Sequence, residues 1–317
     1  MEEELRQQIQ TWKEKGKLLD IRTAVKGSSY IKGSTYIPYN ENFELRWCEL
    51  PNKNEGLNML ISEEGTEMQL VEKIKQRGWK IEQVFKSNSL FWKLIEEFDL
   101  LATDYEYNRL LFSPAPFLLR NLKLIETILN ERFGHKPHWS TLDIGCGSGR
   151  DMAWLAFNNK KFHLYGIDCV QTALNRVELL FSNLNLQTNL KQLIRLKFLP
   201  DSTFKLYTKN QTLIYNDIGK IPFINVNKFQ LILCVRYLER ASFIHLYSLL
   251  ASGGILLFST FLHLEGCSDY EPSLESGKRL LPGELVKEFG SQFQVLIDCI
   301  EYSEDNRPLN SFLAVKK

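Results

Sequence analysis

The sequence has no C-x-x-C pair, and its six cysteines (Cys48, Cys146, Cys169, Cys234, Cys267 and Cys299) are scattered along 317 residues. Most stand in apolar, strand-like runs, the pattern of reduced, buried thiols and not of a disulfide framework. Its five histidines make no H-x-x-x-H spacing and no mixed Cys/His pattern, so no metal site is expected. No apolar run is long enough to cross a bilayer. The first residues, Met1-Glu2-Glu3-Glu4-Leu5-Arg6, carry charge where a signal peptide has its apolar core. The expectation is a cytoplasmic chain with no membrane partner. Net charge is nearly absent as well, at +1. A nucleic acid or other polyanion would therefore have to find a local patch.

What is present bounds the architecture. With 44% hydrophobic and 24% charged residues the chain can bury ordinary cores, and its length favours two domains. Residues 5 to 17 read as a polar-faced helix ending at Gly16. Leu18 to Arg22 is a buried-type strand, followed by an extended Tyr30–Pro38 and a strand over Leu57–Ser62. Glu67 to Arg77 places Met68, Val71 and Ile74 on one helical face, and Trp79 to Phe85 is a further strand. That rhythm is a small α/β unit. Residues 98–116, with Asp99, Asp104, Tyr105 and Tyr107 before Ser113-Pro114-Ala115-Pro116, read as a linker. The expected division is a first domain over 1–97, that linker, and a second domain over 117–317. The second opens on a helix from Phe117 to Arg132.

The order of the first hundred residues resembles a rhodanese-like domain. The likeness rests on the Asp20-x-Arg22 strand, Ile31-x-Gly33-Ser34…Ile37-Pro38, a strand leading into a loop, the Gly78-Trp79 strand and Trp92. Sulfur transfer in that family needs a cysteine thiolate at the head of the loop, and here Ser62 stands there, followed by Glu63-Glu64-Gly65. A hydroxyl cannot hold sulfane sulfur, and two carboxylates repel an anionic donor. The resemblance therefore implies a non-catalytic, rhodanese-like module.

The second domain is organised around Thr141-Leu142-Asp143-Ile144-Gly145-Cys146-Gly147-Ser148-Gly149-Arg150. An apolar strand reaches a carboxylate, then glycines at alternate positions, then an amphipathic helix. In the dinucleotide pattern G-x-G-x-x-G the third glycine would fall on Arg150, and an anion has little use for Asp143. A cationic ligand does. The segment resembles the first motif of class I methyltransferases dependent on S-adenosylmethionine (SAM), whose ammonium and sulfonium are positive. The resemblance covers about residues 113–317 and implies SAM as cofactor and a Rossmann-like, seven-stranded methyltransferase domain. The fold class expected for the whole chain is thus α/β twice over. Asp143, Gly145, Cys146, Gly147, Gly149 and Arg150 form the expected cofactor turn. Asp168, at the end of the next strand, is placed to accept the ribose hydroxyls or to start the following helix. Thr212 to Ile218 reads as a third strand, and the resemblance puts Asn216, Asp217 and Ile218 against the adenine. As a turn residue before Gly219, Asp217 would look the same.

Phe229 to Val235 is an apolar central strand whose carboxyl end, Arg236-Tyr237-Leu238-Glu239-Arg240, opens onto a cleft. The Gly253-Gly254 turn, a strand to Phe261, and two final strands near Phe293–Ile300 and Ser311–Val315 complete the order, the last two as an antiparallel tail. Candidates at the cleft edge for substrate contact are Tyr237, Arg236, Glu239 and His263. Glu239 and Arg240 also fit plain helix-start charges, and His263 an ordinary loop histidine. No Asn-Pro-Pro-Tyr or Asp-Pro-Pro-Trp follows the fourth strand, so the usual platform for a base amine is missing. A small-molecule acceptor is the first expectation. The stretch 186–211 carries Lys191, Arg195, Lys197, Lys205 and Lys209 against the single acid Asp201, which is either a solvated loop and helix face or a surface for RNA. A protein that binds SAM without transferring its methyl group is the third alternative.

Overall fold

A computed structural model of the chain describes residues 2–23, 30–102, 110–218, 227–264 and 279–317. Asp104, Tyr105 and Tyr107 of the expected linker, Gly219 and Cys267 lie outside the described residues. The chain divides into two compact units, Met1–Ser113 and Pro114–Lys317. Among the described residues no helix is long and apolar enough to cross a membrane.

The first unit runs α1 (Glu2–Lys15), β1 (Lys17–Asp20), β2 (Tyr30–Ile31), β3 (Ser34–Tyr36), β4 (Leu57–Ile61), α2 (Met68–Gln76), β5 (Ile81–Lys86), α3 (Ser89–Glu97) and β6 (Leu101–Ala102). Its sheet is parallel in the order β3-β1-β4-β5, and β2 pairs with β6 apart from it. Neighbouring strand residues point to opposite faces, so one short apolar run feeds two cores. Leu19, Met59 and Ile61 join Val71 and Ile74 of α2 on one side. Leu18 and Leu60 join Ile9 and Trp12 of α1 and Phe91 and Leu94 of α3 on the other. Such two-sided burial is why these strands read as continuous apolar runs. Just past β1, Arg22 donates from Nε and Nη2 to Asp20 at 2.9 and 2.6 Å, both residues buried. Its guanidinium lies 4.9 Å from the Trp92 ring.

The second unit runs α4 (Pro116–Phe133), β7 (Trp139–Ile144), α5 (Arg150–Asn158), β8 (Phe162–Asp168), α6 (Gln171–Asn183), β9 (Leu190–Phe198), β10 (Phe204–Tyr207), β11 (Thr212–Tyr215), β12 (Phe229–Val235), α7 (Phe243–Leu249), β13 (Leu250–Phe261), α8 (Glu284–Phe289), β14 (Phe293–Tyr302) and β15 (Pro308–Lys316). One sheet holds all nine strands in the order β11-β10-β9-β8-β7-β12-β13-β15-β14. Strands β9, β8, β7, β12 and β13 are mutually parallel. The last strand, β15, inserts antiparallel between β13 and β14. The fold is a mixed α/β, Rossmann-like sheet whose order reverses between β7 and β12. A ligand cleft is expected at that reversal, beyond the carboxyl ends of the strands.

Two readings of the sequence need correction. The third parallel strand is β9, not Thr212–Ile218, and the sheet has nine strands where seven were expected. β10 and β11 add an antiparallel flap to its edge. The basic stretch 186–211 is accordingly strand, not loop and helix face. Its strand character was masked by charge: Ile194, Leu196 and Phe198 are buried, while the alternate positions are Arg195 and Lys197. Cations on every second residue lower the apparent hydropathy of a strand with one covered face.

Candidate functional site

The glycine turn between β7 and α5 is built on positive backbone angles, φ +76° at Gly145, +54° at Gly147 and +77° at Gly149. Residues with a side chain rarely adopt these. Steric demand adds to the requirement at two of them. A β-carbon at 145 would stand 2.4 Å from Cδ2 of Tyr237, and one at 149 would stand 2.9 Å from Cγ1 of Val177 on α6. The turn is tied to β8 by hydrogen bonds from the Gly145 and Cys146 N–H groups to the Ile167 carbonyl at 2.8 and 3.0 Å. At Gly147, by contrast, nothing lies within 4 Å of where a β-carbon would be, so its α-carbon borders open space.

Two carboxylates frame the turn. Asp168 accepts from the Gly147 N–H with Oδ2 at 2.9 Å and from the Val170 N–H with Oδ1 at 2.8 Å. It thus locks two loops together, and each oxygen keeps a further lone pair. Asp143 is 3% exposed, and among the described residues no hydrogen bond or cation reaches its carboxylate. Burial pushes its carboxyl well above the ordinary carboxylate range, and the neighbouring charges of Asp151 and Asp168 push it further. Asp151, on the first turn of α5, is also raised by burial, though the Ala115 N–H donates to it at 2.7 Å and Arg150 and Arg236 pull it back down. An acid left without a donor in such a place is costly unless a ligand supplies positive charge.

The carboxyl end of β12 supplies the other wall. Arg236 has φ +51°, uncommon for a side chain of its size, and its N–H donates to the Ser259 carbonyl at 2.8 Å. Its exposed guanidinium makes no hydrogen bond or ion pair with the described residues. Tyr237 is half-buried over Gly145, and burial pushes its phenol far above the usual range, with Cys234 and Glu239 adding to the shift.

The expected residues are therefore partly brought together. Asp143, Gly145, Cys146, Gly147, Gly149, Arg150 and Asp168 share the turn, with Tyr237 packed on it. Asn216 and Asp217 are exposed just beyond the flap strand β11, while Ile218 is 2% exposed and belongs to the same buried cluster as Ile144 and Ile167. His263 is exposed past the end of β13, where its N–H donates to the Leu280 carbonyl at 2.7 Å. Glu239 accepts from the Ala241 N–H at 3.3 Å, and Arg240 forms a two-bond pair with Glu284 at 2.6 and 2.9 Å. Both act as structural charges. Asp151 escaped the sequence reading. Two residues past the last glycine it passes for a helix-start acid, and only its burial beside Asp143 sets it apart.

A protein of Schizosaccharomyces pombe described as "Uncharacterized protein UNK4.09" is 31% identical over 325 residues, covering 95% of this chain and 93% of that protein. The chain belongs to its family. No family model matches. Among solved structures, a SAM-dependent methyltransferase from Geobacter sulfurreducens in complex with S-adenosyl-L-homocysteine is 14% identical, with a TM-score of 0.42 over 64% of this chain and 92% of that one. The magnesium protoporphyrin IX methyltransferase ChlM from Synechocystis PCC 6803, with bound SAM, is 15% identical, with a TM-score of 0.39 over 63% and 79%. The [4+2]-cyclase SpnF is 15% identical, with a TM-score of 0.42 over 61% and 80%.

Proposed function

We propose that the second unit is a SAM-dependent methyltransferase acting on a small acceptor, with the first unit a non-catalytic, rhodanese-like accessory. The observation that carries this reading is the solitary Asp143 carboxylate behind the glycine turn. The ammonium of SAM supplies the charge that Asp143 lacks. The open space at the Gly147 α-carbon fits close approach of a ligand, and the free lone pairs of Asp168 fit two ribose hydroxyls. Asn216, Asp217 and Ile218 are assigned to the adenine end. Ile218 supports this by returning from the flap into the core beside the parallel strands.

Bound there, SAM supplies an electrophilic methyl group on a sulfonium. The residues of the chain have to align an acceptor with it and keep water out, so proximity carries much of the rate. Tyr237 closes the turn from above. Its phenol stays protonated at neutral pH, so it acts as a hydrogen-bond donor and not as a base. Arg236, whose exposed guanidinium makes no hydrogen bond or ion pair with the described residues, is the group that steers an anionic acceptor. His263 is the candidate proton acceptor at the mouth for acceptors that carry a proton.

The accessory role of the first unit is supported by its own loop. Ser62, at its head, donates from N–H and Oγ to Oε2 of Glu67 at 3.0 and 2.7 Å, and Thr23 donates from N–H and Oγ1 to Oε1 at 3.0 Å each. The donors of Ser62, where the rhodanese-like family has its cysteine, are thus spent on an internal carboxylate.

Calorimetric titration with S-adenosyl-L-homocysteine and transfer of tritium from labelled SAM to fractionated cell extract test the reading. Binding with label in a small-molecule fraction is the expected result. Binding with no transfer would leave a SAM-binding scaffold, and no heat at millimolar ligand would end the assignment.

A further inference from the structure

The flap that widens the sheet carries a charge pattern that folding alone does not explain. Lys197 of β9 and Lys205 of β10 are direct cross-strand partners. Like charges placed opposite one another destabilise a strand pair. Neither ammonium makes a hydrogen bond or ion pair with the described residues. On the same face Arg195 lies 4.6 Å from the ring of Tyr207, and its Nε donates to the Cys169 carbonyl at 3.1 Å. Ile214 of β11, opposite Lys205, is 65% exposed. Asp201, the single acid of the stretch, is spent in the hairpin turn, where it accepts from the N–H and Oγ1 of Thr203. A chain with a net charge of only +1 thus concentrates unpaired cations on one small β-face.

We infer that the outer face of β9, β10 and β11 binds single-stranded RNA. An open sheet face with alternating cations and an arginine-backed aromatic ring offers phosphate contacts beside a surface on which a base can stack. An acidic peptide would be served by the cations but gains nothing from Tyr207. A bilayer needs more inserted apolar surface than Ile214 alone provides. The face also has a defined place relative to the glycine turn, since Arg195 is in register with Asp168, whose Oδ2 accepts from Gly147. The inference goes beyond the methyl-transfer reading and stands or falls separately from it.

The test is fluorescence anisotropy of a labelled single-stranded RNA oligonucleotide titrated with the full chain at several salt concentrations. The expected result is saturable binding that weakens with salt, and a K197Q/K205Q variant that binds at least tenfold more weakly. Each lost phosphate contact should lower the slope of log affinity against log salt by about 0.7, so the double variant loses roughly 1.4. A K197E/K205E variant should bind more weakly still. Both variants should melt no lower than the wild type, K197Q/K205Q higher because the opposed like charges are gone, and titration with S-adenosyl-L-homocysteine should match the wild type, which separates loss of the face from loss of the fold or of the glycine turn. No RNA binding at about 50 mM salt, or equal affinity in wild type and variants, overturns the inference. So does tighter binding of poly-glutamate or of anionic phosphatidylserine vesicles than of RNA.

Discussion

The ring of Tyr237 rests on the α-carbon of Gly145: a β-carbon there would lie 2.4 Å from Cδ2, 2.5 Å from Cγ and 2.7 Å from Cβ of the tyrosine. The contact joins the first strand of the cofactor turn to the carboxyl end of β12. It makes the glycine a requirement of two elements at once.

Gly145→Ala should lower the affinity for S-adenosyl-L-homocysteine at least tenfold and lower the melting midpoint. Positive φ alone costs a side chain about 1–2 kcal/mol, and displacement of Tyr237 adds to that. Adding Tyr237→Ala to the variant removes the two closest contacts, those with Cδ2 and Cγ, and leaves the one with Cβ at 2.7 Å. The double variant should therefore regain part of the stability lost by Gly145→Ala. A double variant that melts lower than the single one would show that the ring is not what excludes the methyl group.

Asp143→Asn should stabilise the ligand-free protein while abolishing cofactor binding. Burial raises the carboxyl in the folded state, so the unfolded chain gives up this proton first as pH rises. The folded state then holds more protons, and stability falls with pH above about 4 until the buried acid itself ionises. The asparagine removes that fall. A gain of about 1 kcal/mol at neutral pH, or roughly 2–4 °C in the midpoint, is expected. Differential scanning calorimetry at pH 5 and pH 8 reads it, and a lower midpoint for the variant at pH 8 would contradict it.

Glu67 makes the opposite prediction in the first unit. Burial disfavours its charge, but the hydrogen bonds from Ser62 and Thr23 outweigh that and hold it down to about 2 from an ordinary 4.5. A depressed acid contributes stability that is complete above about 4.5 and is lost as pH falls through about 2. The span corresponds to roughly 3 kcal/mol. Glu67→Gln should flatten the acid limb of the unfolding curve of this unit between those values. An unchanged limb, followed by tryptophan fluorescence, would remove Glu67 from the account.

Arg22→Met should be among the most damaging single changes in the first unit. Burial already raises the Asp20 carboxyl even with Arg22 bound to it. Removing the side chain leaves the buried acid with no cation and only the residue-22 N–H, at 3.2 Å, at a cost of about 3–5 kcal/mol. The double variant Asp20→Asn/Arg22→Met should recover a large part of the loss, as measured by urea unfolding. A double variant no better than Arg22→Met would mean that the pair matters through its shape and not its charge.

The strand, glycine turn and helix start were legible because they are local: the strand, the carboxylate and the glycines are consecutive, and β8 with Asp168 follows within twenty-five residues. The strands β12 and β13 were legible for a different reason. They are covered on both faces, so Leu231–Val235 and Ile255–Phe258 run without a polar residue. The flap strand β11 was legible as a strand, but β9 was not, since Arg195 and Lys197 conceal a strand that buries only one side. Nor was the partnership of Asp143 with Asp151, which depends on how α5 turns back toward β7. The clash that fixes Gly145 was equally hidden, because Tyr237 lies more than ninety positions away in the chain.

The place of β15 has a consequence for how the second unit comes to exist. It lies inside the sheet, flanked by β13 and β14, yet it is made after every strand it touches. During synthesis from the amino end, β13 and β14 emerge before the strand that pairs with both of them. Both bordering edges stay open to mispairing until Pro308–Lys316 clears the ribosome. A nascent chain halted before that point holds a sheet that lacks the strand joining its two last members.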